Sequence, residues 1–171
     1  MPLPPKNKLE SSLGHFNYEV QELAFCKCFF KVAYPEQQRQ AYLNRDLEHI
    51  VLHSRNIYEF FYKQTHPNGY VESSNPKANM YVKWEAPPFD DVITAGFEAK
   101  ASDQINHLGI NRTEDSKEKF TVSETIKIAN KLLNLTKEFL SKLEEVEGGY
   151  YFDKVKVLIG LKRDIDALIK L

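Results

Sequence analysis

The stretch QAYLNRDLEHIVLHSRNIYEFFYK, residues 40–63, decides the fold class of this chain. Its apolar residues recur every three or four positions, which predicts an amphipathic helix with one buried face. The members of that face are Leu43, Leu47, Ile50, Val51, Tyr58 and Phe61. Pro35 suits the first turn of this helix, and THPNGY, residues 65–70, ends it, because proline and glycine interrupt the pattern together.

A second apolar stripe precedes this helix, over residues 10–33, with Leu13, Phe16, Val20, Leu23 and Phe30 at the same spacing. Three further helices are expected after the helix of residues 40–63. One spans residues 89–108 and closes at Gly109, one begins at a cap formed by Thr121 and Ser123, and one spans residues 153–171. The capped helix has the stripe Ile126, Ala129, Leu133, Phe139 or Leu140, and Leu143.

In residues 64–88 the apolar residues have no regular spacing and there are several prolines, which indicates a long loop between the second and third helices. Its aromatic residues Tyr70, Tyr81 and Trp84 are expected to pack on the helices. No segment alternates as a strand does. The sequence therefore predicts one all-α domain over residues 1–171, an up-and-down bundle of about five helices with residues 1–9 as a flexible tail.

Charge and apolar content narrow the functional classes. The 23 basic and 24 acidic residues leave a net charge of −1, which argues against a broad footprint on duplex DNA and leaves room for a small site for single-stranded nucleic acid. The sequence has neither an apolar signal region at its start nor a run of about 18 apolar residues. We therefore expect a cytoplasmic protein that does not contact the membrane.

A metal-binding bundle is one interpretation of the polar residues. His49 and His53 lie four apart on one helical face, as do Asp103 and His107. The set lacks a Glu-x-x-His pair, and Cys26 and Cys28, two apart on a helix, point to different faces and are expected to serve packing. On spacing alone we expect no metal and no cofactor.

A ribonuclease is a second interpretation. Histidine titrates near neutral pH and can act as the base or acid at a ribose 2′-hydroxyl, while a cation stabilises charge on the phosphorus. His107 follows Lys100 by seven residues, about two helical turns, and Arg55 is available on the neighbouring helix. The alternative is that these polar residues have no functional role and lie partly buried between helices, where they form hydrogen bonds with one another.

Two stretches together resemble a known group. LHSRNIYEFFY, residues 52–62, is followed through MYVKWEAPPFDD by KASDQINHLGINR, residues 100–112. This order resembles small bacterial helical proteins near the HEPN superfamily, over roughly residues 43–143. HEPN proteins are bundles of four to five helices that include toxins, phage-defence ribonucleases and inactive binding modules. Their motif places an Arg four to six residues before a His; here Lys100 stands at the six-residue gap before His107.

The resemblance implies an RNA-directed protein, either a metal-independent endoribonuclease of toxin or defence type or a relative that only binds RNA. It implies His107 as general base or acid, with Lys100 and Arg55 stabilising charge, and His53, Asn56 and Asn106 contacting the substrate. It also implies a homodimer, with RNA or an antitoxin-like protein as partner. Lys100 in place of Arg puts catalysis in question, because lysine lacks the two-pronged phosphate contact. The alternative is a non-catalytic interaction or dimerisation bundle.

Overall fold

Three long helices make up most of the described part of this protein, in a computed structural model that describes residues 4–29, 33–63, 76–87, 97, 100, 101 and 120–146. They are α1 (Lys6–Phe29), α2 (Arg39–Tyr62) and α3 (Val122–Glu145), with short 3₁₀ turns at Glu36–Gln38 and Ala78–Met80. Within these ranges no residue lies in a strand, which confirms the all-α class.

Helix α1 begins earlier than its apolar stripe predicts. Residues 6–9, assigned to a flexible tail, are helical: the Pro5 carbonyl accepts hydrogen bonds from the backbone N–H groups of Lys8 and Leu9, at 3.0 and 3.1 Å. The reason is burial, since Leu9 is only 1% exposed. The predicted stripe is otherwise confirmed for Leu13, Phe16, Val20 and Leu23, which are all buried, while Phe30 lies outside the described residues.

Helix α2 packs against both α1 and α3, and α1 and α3 also pack against each other. This position widens its buried face beyond a single stripe. Ile50, Val51 and Phe61 are buried as predicted, whereas Leu43, Leu47 and Tyr58 are only partly buried. The additional buried residues of α2 are Asp46, His53, Ser54, Ile57 and Phe60.

Helix α3 begins with a capping box. The Thr121 hydroxyl oxygen accepts a hydrogen bond from the Glu124 backbone N–H at 3.2 Å, and the Glu124 carboxylate accepts one from the Thr121 N–H at 2.7 Å. Thr121 is thus the predicted cap, and Ser123 already lies inside the helix. Four of the predicted stripe residues, Ala129, Leu133, Phe139 and Leu143, are buried with Leu140, and Ile126 is partly buried.

The core centres on the aromatic ring of Phe139, which is fully buried. Its ring contacts come from both other helices and from residues 76–87, and they are Phe16, Phe60, Phe61, Tyr81 and Trp84. The Tyr81 hydroxyl also donates a hydrogen bond to the Leu9 carbonyl at 2.9 Å. The expectation that Tyr81 and Trp84 pack on the helices is therefore confirmed, and Tyr70 lies outside the described residues.

The remaining predicted helices are only partly described. Of the helix expected over residues 89–108, Phe97, Lys100 and Ala101 are described and helical. The helix expected over residues 153–171 lies outside the described residues. Among the helices that are described, none combines the length and the apolar character needed to cross a membrane.

Candidate functional site

Polar side chains follow the interface of α1 and α2 at helical spacing, and we call them the polar seam. In α1 they are Ser12, His15, Glu19, Glu22 and Cys26; in α2 they are His53, Asn56, Glu59 and Lys63. Glu22 and Cys26 approach His53, whereas Ser12 and His15 share a cleft with Glu59. Early α1 residues therefore meet late α2 residues, so the two helices are antiparallel. Each stripe recurs every three or four positions, which keeps it on one face of its helix.

A cleft of about 290 Å³ opens at one end of the polar seam, where residues 76 and 77 complete its wall. We call it the α1–α2 cleft. Phe16 and Phe60 form its apolar side, with ring centroids 4.2 Å apart in a stacked arrangement. The full lining is Ser12, His15, Phe16, Glu19, Asn56, Glu59, Phe60, Pro76 and Lys77.

Glu19 joins the cleft to the interior of the seam. Its Oε2 lies 2.7 Å from Nδ1 of His53, whose side chain is buried. Burial alone would raise the pKa of Glu19, but hydrogen bonds from His53 and Asn56, together with the electrostatic effect of His53 and His15, outweigh it, so this pKa is lowered. An ionised Glu19 accepts from Nδ1–H, which fixes the His53 tautomer and leaves Nε2 as an acceptor.

Glu59 holds two cations of α2 beside the cleft. Its Oε1 accepts from Nε of Arg55 at 3.1 Å and from Nζ of Lys63 at 3.0 Å. Burial acts to raise the pKa of Glu59, but the hydrogen bond and charge of Lys63, and then those of Arg55, lower it overall. Arg55 is thereby held along α2 through its Nε.

Lys77 brings a cation into the cleft from outside the two helices. It is partly buried, and burial lowers its pKa, although the charge of Glu59 acts in the opposite direction. Among the described residues, no carboxylate lies within ion-pair distance of its Nζ. A cation desolvated in this way gains more from an incoming anion than an exposed lysine does.

The predicted catalytic residues are only partly placed. The side chain of Lys100 reaches the start of α3. Its Nζ is 3.9 Å from Oε1 of Glu124 and 4.5 Å from the ring centroid of Phe120. Arg55 and Lys100 are thus held by different carboxylates, Glu59 and Glu124. His107 and Asn106 lie outside the described residues. Asn56 is exposed at the cleft, whereas His53 is buried behind Glu19.

A cluster of potential metal ligands occupies the other end of the polar seam. One ligand atom each from Glu22, Cys26 and His53 lies within 4.8 Å of the other two. Cys26 is 1% exposed, and burial, with the nearby negative charges of Glu22 and Asp46, raises the pKa of its thiol to about 11. Cys28 is not part of this cluster; its Sγ lies 3.5 Å from the Ala24 carbonyl. The separation of the two cysteines is as the sequence predicts.

The α1 half of the site was missed by the sequence analysis, as was Lys77. The signal was present, because Ser12, His15 and Glu19 and then Glu22 and Cys26 recur at intervals of three or four residues. What the spacing does not say is that this polar stripe faces α2. The sequence around Lys77 carries no such signal, because residues 64–88 have no regular spacing of apolar residues.

Comparisons of this chain with protein-family models, with curated proteins and with solved structures give no match.

Proposed function

We propose that this chain is a HEPN-like, RNA-directed protein and that the α1–α2 cleft receives one nucleotide of a single strand. The observation that carries the proposal is Lys77, a partly buried cation that lacks an ion-pair partner among the described residues and lines the same cleft as Asn56 and Glu59. Those two belong to the stretch that resembles the HEPN group. A phosphate is the anion that a lysine point charge accepts readily.

The rest of the cleft suits a ribose and a base. Glu19 and Glu59 offer carboxylate oxygens to ribose hydroxyls or exocyclic amino groups, and Phe16 and Phe60 supply an apolar wall. Recognition of the 2′-hydroxyl and contact of bases with aromatic rings are the usual means by which proteins read single-stranded RNA. The volume of about 290 Å³ is near the lower end of small-molecule pockets, which limits the occupant to one such unit.

Local charge supports the same proposal. Among the described residues, Arg55, Lys63 and Lys77 give three positive charges around Glu19 and Glu59, which leaves one net positive charge for these five side chains, whereas the whole chain carries −1. A small basic site in a nearly neutral protein attracts a strand locally without a broad electrostatic footprint.

In the catalytic form of this proposal, His107 is the general base or acid, and Lys100 and Arg55 stabilise charge on the phosphorus. Asn56 and Asn106 contact the substrate, and His53 positions Glu19. The helices predicted over residues 89–108 and 153–171 complete a five-helix bundle. Two chains form a homodimer in the cytoplasm whose partner is RNA or an antitoxin-like protein. A two-fold interface doubles one modest basic site.

The test has a binding arm and a cleavage arm. Anisotropy of a labelled single-stranded RNA measures affinity for the wild type, for Lys77→Ala and for Lys83→Ala, an exposed lysine six residues further along the same segment. We expect Lys77→Ala to weaken binding about 10–100-fold, because a lost charge-assisted contact is worth about 1.5–3 kcal/mol. Lys83→Ala should change the affinity less than twofold.

Cleavage is followed on a mixed RNA pool with EDTA present, for the wild type, His107→Ala and Lys100→Arg. We expect His107→Ala to abolish cleavage and Lys100→Arg to preserve or raise it, since arginine restores the two-pronged phosphate contact. Binding without cleavage identifies the RNA-binding form. If wild type and Lys77→Ala bind equally weakly, the RNA proposal is wrong.

A second candidate function, a dimerisation or partner-binding bundle, is supported by exposed apolar side chains. Tyr18 and Phe25, seven residues apart on α1, are 53% and 59% exposed, and Leu52 of α2 is 37% exposed. Tyr18 contacts the ring of His53, which precedes Ser54 and follows Leu52 in α2. Sedimentation of the wild type and of Phe25→Glu tests it: a dimer that dissociates in the variant supports this function, and a wild-type monomer contradicts it.

A further inference from the structure

We propose that Glu22, Cys26 and His53 form a binding site for a zinc ion, which goes beyond the proposed action on RNA. One ligand atom from each lies within 4.8 Å of the other two. Bonds of about 2.0–2.3 Å from zinc to nitrogen, oxygen and sulfur imply separations of roughly 3.3–3.6 Å between ligand atoms in a tetrahedron. Side-chain adjustments of about an ångström therefore suffice to close the site.

The donor set selects the class of metal. A thiolate with an imidazole and one carboxylate is typical of zinc and unlike the all-oxygen sites of calcium and magnesium. A dipositive ion with the Glu22 carboxylate, the Cys26 thiolate and a neutral His53 gives a site of zero net charge, which suits the buried positions of Cys26 and His53. The Cys26 thiol gives its proton to solvent as the metal–sulfur bond forms.

Glu19 supplies the outer support that metal-binding histidines usually have. Its Oε2 is 2.7 Å from Nδ1 of His53, so Nε2 is the nitrogen that remains for a metal. A carboxylate that accepts from the second ring nitrogen orients the imidazole and raises its basicity as a ligand. In this arrangement Glu19 is a positioning residue and makes no bond to the metal.

Two nearby residues, Asp46 and His49, are not ligands of the proposed site. Both carboxylate oxygens of buried Asp46 are already engaged, Oδ2 by Tyr34 at 2.6 Å and Oδ1 by Arg45 at 3.0 Å, so Asp46 is not a fourth ligand. His49 is exposed, with its ring centroid 6.5 Å from that of His53, and it lies outside the cluster. Three protein ligands leave one tetrahedral position for water.

The expectation from spacing, that no metal binds, treated the cysteines as packing residues and did not place α1 beside His53.

The experiment uses the tag-free full chain, stripped with a chelator and dialysed. Zinc affinity is measured by competition with a chromophoric chelator, and cobalt(II) is added separately because a thiolate–cobalt charge-transfer band reports sulfur ligation directly. We expect about one zinc per chain and a thiolate band in the wild type. Glu22→Gln, Cys26→Ser and His53→Ala should each lose zinc affinity, and Cys26→Ser should also lose the band. Glu19→Gln should bind about 10–100-fold more weakly.

Matched controls come from the same helices. Cys28→Ser and His49→Ala remove the same chemical groups beside the cluster, and both should retain the wild-type affinity and band. Circular dichroism establishes that each variant is folded, and Glu22→Gln, whose side chain is partly exposed, decides the question if a buried variant unfolds. Absence of zinc binding in the wild type overturns the proposal. Equal affinities in Glu22→Gln, Cys28→Ser and the wild type also overturn it, because the metal then lies elsewhere.

Discussion

Glu59 illustrates how single residues of α2 combine structural and functional roles. Its carboxylate bonds both Lys63 and Arg55, and the two cations lower its pKa against the effect of burial. A carboxyl whose pKa is lower in the folded state stabilises the fold above its unfolded pKa, near 4.5. That contribution is lost as the pH falls through the lower, folded pKa. Because all three side chains are partly exposed, solvent screens the interaction.

We therefore predict a pH-dependent stability difference between the wild type and Glu59→Gln. Urea unfolding should show the wild type more stable at pH 7, and the difference should shrink as the pH drops below about 4.5. In a Lys63→Gln background the effect of Glu59→Gln should be smaller, since the principal partner is already missing. A difference that is constant from pH 7 to pH 3 would show that the ion pairs are not its source.

The sequence alone points to residues on the α2 side of the candidate site. His53, Arg55 and Asn56 come from one stretch of α2, and the structure places all three along the polar seam or beside the cleft. The α1 half could not be assigned, because a polar stripe beside an apolar one is equally consistent with a solvated face. Only the pairing of Glu19 with His53 distinguishes the two cases.

At the level of elements, the start of α3 depends on one side-chain cap. Thr121 and Glu124 satisfy each other's backbone N–H groups, and Glu124 also lies 3.9 Å from Lys100. Removing a Thr cap costs about 0.5–2 kcal/mol, because it exposes helix N–H groups without a partner. We expect Thr121→Ala to lower the free energy of unfolding by about 1 kcal/mol, measured by urea denaturation.

Ser123→Ala is the control for this prediction. Ser123 is exposed and lies inside the helix, two residues after the cap, so its replacement should change stability by less than about 0.5 kcal/mol. Equal losses in the two variants would mean that the cap does not stabilise α3.

The sequence predicted element types better than element limits. Periodicity located α1, α2 and α3, because burial of a stripe is the property that the pattern reports. It missed the first turn of α1, because Leu9 follows a proline-rich start and its carbonyl is held by a hydrogen bond from Tyr81, far along the chain. It also underestimated the buried face of α2, where Ile57 is buried and Phe60 contacts rings of both other helices. Contacts between segments that are far apart in the sequence cannot be predicted from the local spacing of apolar residues.

For the whole molecule, Phe139 is where the three helices and residues 76–87 meet. Its ring is fully buried against five other aromatic rings, so truncation leaves a cavity that rigid neighbours do not fill. We expect Phe139→Ala to cost about 3–5 kcal/mol in urea unfolding, a large share of the roughly 5–15 kcal/mol typical of a domain.

Val146→Ala also truncates an apolar side chain, but on the surface at the end of α3, where the side chain is 45% exposed. At a protein concentration low enough to exclude self-association, it should alter stability by no more than about 0.5 kcal/mol. A loss comparable to that of Phe139→Ala would mean that the core does not centre on Phe139.

The hydrogen bond from the Tyr81 hydroxyl to the Leu9 carbonyl joins residues 72 positions apart. Closing a chain segment of that length costs about 1.8 kcal/mol more conformational entropy than closing one of ten residues. The pairing of α1 with α2 spans fewer residues and therefore meets a smaller entropic barrier. We expect the first turn of α1 to become fixed late in folding, after the helices have paired and brought Leu9 within reach of Tyr81. A chain cut within residues 64–75 would turn that closure into an association between two fragments, dependent on their concentration.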